Sequence, residues 1–168
     1  MNFSWQLKTG KIITSTTQQS AMQLNRFTDL GLRVLLTLQY LPESELSTVE
    51  NLAKQLNVSR NHLVKIVYFM AQAGWIESFK GRNGGIRLAA GSQQLQLGSI
   101  VQALEEASSE ITTLINCQQP PCSMTEFCFL PKLFNQAQQA FYASLNQYTL
   151  KQLQVPATNQ AVIKWLTQ

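Results

Sequence analysis

Between Ser47 and Leu88 the apolar residues follow a helical period, break, resume it and then alternate, an order that few folds accommodate. Val49, Leu52, Ala53 and Leu56 repeat at helical spacing; after Asn57-Val58 the pattern restarts at Leu63, Ile66, Val67 and Met70. Ser47 and Glu50 have the S-x-x-E spacing, at which the two side chains satisfy each other's free backbone N–H groups at a helix start. Ser59 is placed to cap the next helix, and Gly74 to close it. Two short helices across a tight turn predict a helix-turn-helix. Trp75–Lys80 then reads as a strand, Gly81-Arg82-Asn83-Gly84-Gly85 as a glycine-rich turn and Ile86-Arg87-Leu88 as the returning strand. Such a hairpin is a wing, so the expected fold is mainly α with a small β wing, a winged helix-turn-helix.

The flanks add to this unit. The segment FTDLGLRVLLTLQYL, from Phe27 to Leu41, is apolar on nearly all sides, which predicts a helix packed both on its own domain and on another surface and ended by Pro42. Residues 1–21 show no period and finish rich in Thr, Gln and Ser; they read as a poorly ordered extension, with Met22 as a working start. Downstream, Leu97–Glu106 predicts a short helix and Ala107–Cys128 a polar loop. Leu130, Leu133, Phe134, Ala137, Phe141, Leu145 and Tyr148 form an apolar stripe along a helix of about 20 residues, from Phe129 to about Leu153. A stripe that long calls for a partner, either a second copy in a homodimer or its own domain. The expected organisation is an extension (1–21), a winged helix-turn-helix (22–92), a short helix and loop (93–128), a dimerisation helix (129–153) and a tail (154–168).

The 168 residues, 45% of them hydrophobic, suffice for a core without disulfides. The net charge of +4 is unevenly spread: Lys54, Arg60, Lys65, Lys80, Arg82 and Arg87 face only Glu77 between residues 54 and 90. If Leu63, Ile66, Val67 and Met70 are buried, the opposite helix face carries Asn61, Lys65, Tyr68 and Gln72, with Ser59, Arg60 and His62 at its amino end. The major groove admits a helix amino end first, and Arg, Lys and Asn pair with base edges or phosphates. Lys80, Arg82, Asn83 and Arg87 of the hairpin could reach phosphates or the minor groove. A solvated basic face, with glycines serving only positive φ, is the plainer alternative. The combination favours double-stranded operator DNA as partner, bound by a two-fold dimer. No catalytic acid–base pair is recognisable, so an enzyme is not expected.

No stretch of 18 apolar residues and no apolar leader segment is present, which predicts a cytoplasmic protein without a membrane partner. In a reducing compartment, cysteines crowded into one stretch point to metal or redox chemistry before disulfides. Cys117, Cys122 and Cys128 have the spacing C-x4-C-x5-C in the loop CQQPPCSMTEFC. Thiolates are the usual ligands of iron–sulfur clusters, and the spacing lacks the C-x2-C pairs of most structural zinc sites. On spacing alone a cluster leads, with a thiol redox switch, zinc and inert cysteines still open.

Three segments, MQLNRFTDLGLRVLL, VSRNHLVKI running into GRNGGIRL, and the C-x4-C-x5-C loop, resemble the IscR/NsrR family of winged-helix iron–sulfur transcription regulators. The likeness runs from Met22 to about Leu153, and SRNHLVKI with the cysteine spacing is most similar to the nitric-oxide-sensitive repressors. The resemblance implies a homodimeric repressor that leaves its operator when nitric oxide reacts with a 4Fe-4S or 2Fe-2S cluster, derepressing nitric oxide detoxification genes. It implies Cys117, Cys122 and Cys128 as ligands. Family members fill the remaining position with different groups, including a carboxylate from the first helix of the other subunit; Asp29, in the matching FTD, is the candidate. Asp29 could instead stabilise the dipole of its own helix. IscR-like members carry a histidine soon after the third cysteine. Here Phe129, Leu130, Pro131 and Lys132 follow, and the one histidine, His62, lies elsewhere. Sensing of iron–sulfur status or of oxidants through thiols is the alternative within the family, and an iron–sulfur redox protein the alternative outside it.

Overall fold

The first helix begins where a side chain can satisfy its free amides: Asn25 accepts from the Thr28 N–H at 2.9 Å, and Asp29 adds negative charge in the first turn, where the helix dipole favours it. This computed structural model describes residues 23–42, 44–108, 113–118, 120–156 and 164–165. The expected extension, with Met22, and most of the expected tail lie outside the described residues. Helix α1 (Arg26–Gln39) stops at Gln39 rather than Leu41. Leu41 precedes Pro42, whose ring disfavours helical backbone before it, and the Tyr40 N–H turns back onto the Thr37 carbonyl at 3.1 Å.

Helix α2 (Val49–Gln55) is capped by Thr48, whose hydroxyl accepts from the Asn51 N–H at 3.1 Å. The expected Ser47–Glu50 capping box does not form. Ser47 is instead buried and stitched to the hairpin: its N–H donates to the Ile86 carbonyl at 3.0 Å, and the Ile86 N–H donates back at 2.7 Å. The tight turn that follows passes through Asn57 at φ 52°, a left-handed conformation that asparagine tolerates better than most residues. Helix α3 (Arg60–Gln72) buries Leu63, Ile66, Val67 and Met70, as its period predicts. Gly74, at φ 72°, ends it.

Strands β1 (Ile76–Phe79) and β2 (Gly85–Leu88) pair antiparallel, Ile76 opposite Leu88 and Glu77 opposite Arg87. Ile76 and Ile86 point into the core, which is why the hairpin stands on the helices at its base.

Helices α4 (Leu97–Ser108) and α5 (Leu130–Leu145) complete the regular structure. Gly98 lets their ends touch: a Cβ there would sit 2.1 Å from the Tyr142 carbonyl oxygen. Asn146, just past α5, accepts from the Ser99 N–H at 2.8 Å and so satisfies a free amide at the start of α4. Helix α5 is shorter than the expected Phe129–Leu153. After Asn146 the chain reverses, the Leu97 N–H donating to the Tyr148 carbonyl and the Leu150 N–H to the Leu95 carbonyl, both at 2.9 Å. Leu150, within a separate 3-10 turn (Leu150–Leu153), is thereby fully buried. Burial of one leucine and these backbone bonds outweigh continuing the helix.

The core gathers Val34, Leu35, Leu52, Leu63, Ile66, Met70, Ile100 and Leu104. Gly31 admits α4 against α1, since a Cβ there would lie 2.9 Å from Leu104 Cδ1. On the flank of α1, Leu32 packs on a smaller cluster of Leu97, Val101 and Tyr142. The additional surface that α1 needs is thus supplied, at least in part, by α4 and α5 of the same chain. Past the 3-10 turn, Val155 and Tyr40 exchange hydrogen bonds at 3.0 and 3.2 Å, and the Trp165 ring stands edge-on to Tyr40 with centroids 6.1 Å apart. Among the described residues no helix is long and apolar enough to cross a membrane.

Candidate nucleic-acid interface and cysteine loop

With one face of α3 buried, the other presents Asn61, Lys65, Tyr68 and Gln72 to solvent, Tyr68 being 67% exposed. Val64, 39% exposed, joins them. Its apolar side chain suits a thymine methyl, and an outward valine one residue from Lys65 was the only sequence signal for it. Ser59 holds the cap position without making a side-chain cap bond; its hydroxyl pairs with His62 Nδ1 at 3.1 Å. Arg60 donates from Nε to Glu50 Oε1 of α2. That guanidinium holds the Glu50 carboxyl below the usual carboxylate range. Sequence reasoning placed Glu50 in a capping box and missed this link, because the residues meet only when the turn folds α2 against α3.

Lys80, Arg82 and Asn83 are exposed at the hairpin tip. Arg87 lies away from it, in β2, half-buried: its guanidinium pairs with Glu77 at 2.9 Å and sits 4.8 Å over the Phe79 ring. The wing glycines divide by role. Gly81 has φ 112°, which suits glycine. Gly84 and Gly85 are needed for close approach, since a Cβ would lie 2.2 Å from the Phe79 carbonyl oxygen at Gly84 and 2.6 Å from the Ser47 carbonyl oxygen at Gly85. The first oxygen cannot move without opening the turn, nor the second without breaking its bond from the Ile86 N–H. Gly84→Ala is expected to cost about 1–3 kcal/mol in thermal unfolding and to weaken DNA binding by misplacing the tip; wild-type values for both would refute this account of the turn.

The cysteine loop joins α4 to α5. The Cys122 N–H donates to the Cys117 carbonyl at 3.0 Å, closing a turn that brings those backbones side by side, and the Thr125 N–H donates to the Cys122 carbonyl at 3.3 Å. All three thiols are free, Cys122 exposed and the others half-buried. In kind the donors fit an iron–sulfur cluster, which thiolates hold. In placement the single chain does not gather them: among the described residues no three His, Cys, Asp or Glu side chains are set to hold a metal ion. Asp29 lies on α1 with its carboxylate engaged by Arg33 at 2.9 Å.

Around this loop the chain exposes a large apolar area. Phe127 is 76% exposed, Phe129 55%, Leu130 51% and Leu133 46%. Among the described residues, the stripe on α5 is therefore covered at its far end, around Tyr142. Clustered exposed apolar side chains are a usual feature of interaction surfaces.

Comparison with known proteins agrees with the winged-helix architecture. A Lactobacillus plantarum protein described as a transcriptional regulator matches at 19% identity over 84% of this chain and 95% of its own, with a TM-score of 0.61. T. potens IscR matches at 17% identity, 78% and 85% coverage and a TM-score of 0.58. The oxidized form of Staphylococcus aureus CymR matches at 23%, 79% and 95%, and 0.57. At these identities the likeness shows the fold. The family model for Rrf2, described as an iron-dependent transcriptional regulator, matches residues 24–156, a span that takes in α1, the helix-turn-helix, the wing, the cysteine loop and α5. By that match the chain belongs to the Rrf2 family of transcriptional regulators, which are not enzymes.

Proposed function

We propose that this protein is a homodimeric repressor that binds operator DNA through α3 and the wing and releases it in response to nitric oxide. The observation that carries the DNA half is that two elements expose polar and basic side chains: Asn61, Lys65 and Gln72 on α3, and Lys80, Arg82 and Asn83 at the hairpin tip. One element suits the major groove, and the other suits phosphates or the adjacent minor groove. The uncovered stripe of α5, with Leu130, Leu133 and Phe134, supports a second copy as its cover.

For the sensing half, Cys117, Cys122 and Cys128 would hold an iron–sulfur cluster, with Asp29 of the partner copy as candidate for the remaining position. Bound there, the cluster would supply iron, a metal to which nitric oxide attaches, and a carboxylate is a poorer match than thiolate for such a centre. The loop carrying the thiols joins α4 to α5, α4 packs on α1, and α1 packs on α3. A change in how the loop is tethered thus has a packed route to the DNA face.

Lys65→Ala and Arg82→Ala are each expected to weaken binding about tenfold to duplexes that the wild-type protein selects from a random pool. A side chain that touches only phosphate should also lower the salt slope by about 0.9. Unchanged affinity in both variants would exclude this face. A second reading, a regulator sensing oxidants through its thiols, draws on the same free, ungathered cysteines; iron and sulfide counts on anaerobic protein separate it from the first.

A further inference from the structure

We infer that Glu50 is a positioning residue that holds Arg60 for reading a guanine, so that the Glu50–Arg60 pair sets sequence preference at one base in each half-site. The inference rests on the DNA-binding reading above and deepens it. Arg60 is the first residue of α3, the end of a recognition helix that enters the groove. It is bound by Glu50 through Nε, which leaves the two Nη groups at the far end of the planar fork. Those two groups are the edge that engages guanine O6 and N7 together.

The pair also crosses a joint. Glu50 lies in the first turn of α2 and Arg60 in the first turn of α3, so the carboxylate fixes the guanidinium from a second element that the core holds rigidly. A long arginine side chain otherwise loses rotamer freedom on binding; here part of that ordering is already present in the free protein. Both side chains are more than half exposed, at 57% and 54%, so the pair adds little to stability and is a device for orientation. Glu50 also places a negative charge beside the phosphates, which disfavours contacts that read no base.

The test uses the full chain, purified without oxygen, and a duplex pool of random sequence as probe, with the bound fraction sequenced for wild type, Glu50→Ala, Glu50→Gln, Arg60→Ala and Lys65→Ala. The wild type is expected to enrich a guanine at symmetric positions. Glu50→Ala should weaken that preference about tenfold at one position per half-site, leave the other positions as they were, and raise affinity for unselected DNA. Arg60→Ala should remove the same preference, and a further variant that combines Glu50→Ala with Arg60→Ala should lose no more than Arg60→Ala alone. Glu50→Gln, whose amide oxygen still accepts from Nε, should retain part of it. Lys65→Ala should alter a different position or none.

An unchanged guanine preference in Glu50→Ala, or equal gains in affinity for all sequences, would overturn the inference by making Glu50 a bystanding charge. So would Arg60→Ala weakening all sequences alike with a shallower salt slope, the mark of a phosphate contact. A wild-type protein that enriches no sequence would remove the DNA-binding reading and this inference with it.

Discussion

Replacing any one of Cys117, Cys122 and Cys128 by serine is expected to strip the anaerobically purified protein of most of its iron and sulfide and to abolish any effect of nitric oxide on DNA binding. Serine keeps the shape of cysteine but offers a neutral hydroxyl in place of a thiolate, and iron–sulfur centres depend on soft donors. The fold should survive the change. The three cysteines lie on a loop outside the core, half-buried or exposed, and none belongs to either cluster of buried side chains. Far-ultraviolet circular dichroism and the thermal midpoint should therefore match wild type while iron content collapses. Full iron and sulfide retained in all three variants would remove the thiols as ligands. A wild-type protein without iron that still loses DNA affinity on mild oxidation would transfer the sensing role to the thiols themselves.

The second large effect is on stability. Leu104→Ala should lower the free energy of unfolding by about 2–5 kcal/mol, a large share of the roughly 5–15 kcal/mol that a domain possesses. Leu104 is fully buried where α4 meets α1, with its methyl groups beside Gly31 and Met70 Cε close by. On one side of the resulting hole stands a glycine, which has no side chain to move in, so the space can close only by shifting a helix. Denaturant unfolding monitored by the tryptophans measures the loss. A change below about 1 kcal/mol would mean that α4 and α1 collapse together more readily than rigid packing implies.

The helices and the wing were legible because their signals are local. The spacing of Leu63, Ile66, Val67 and Met70 decides which face of α3 is buried, whatever lies around it, and Gly74 marks its end. The errors occur where a distant segment competes for a residue. Ser47 fits a capping box by spacing, but its backbone is claimed by Ile86, and Thr48 caps in its place. Leu145 to Leu153 continues an apolar stripe, yet the chain reverses so that Leu150 can enter the core. Arg87 looks like its neighbour Arg82 in sequence, but cross-strand pairing sets it against Glu77. The cysteines were legible as a set of donors through their spacing and family likeness. Their convergence is not a property of the sequence of one chain, and among the described residues the single chain does not show it.

The short pairing of Ser47 with Ile86 has a bearing on the DNA itself. It fastens the returning strand of the wing to the residue before the α2 cap, and α2 in turn packs against α3, so that recognition helix and wing tip belong to one frame with a set separation. On an operator gripped in the proposed way, the protein then works as a ruler. A half-site with a base pair inserted between the two points of contact would still contain every letter, but the tip and the helix could no longer both be seated.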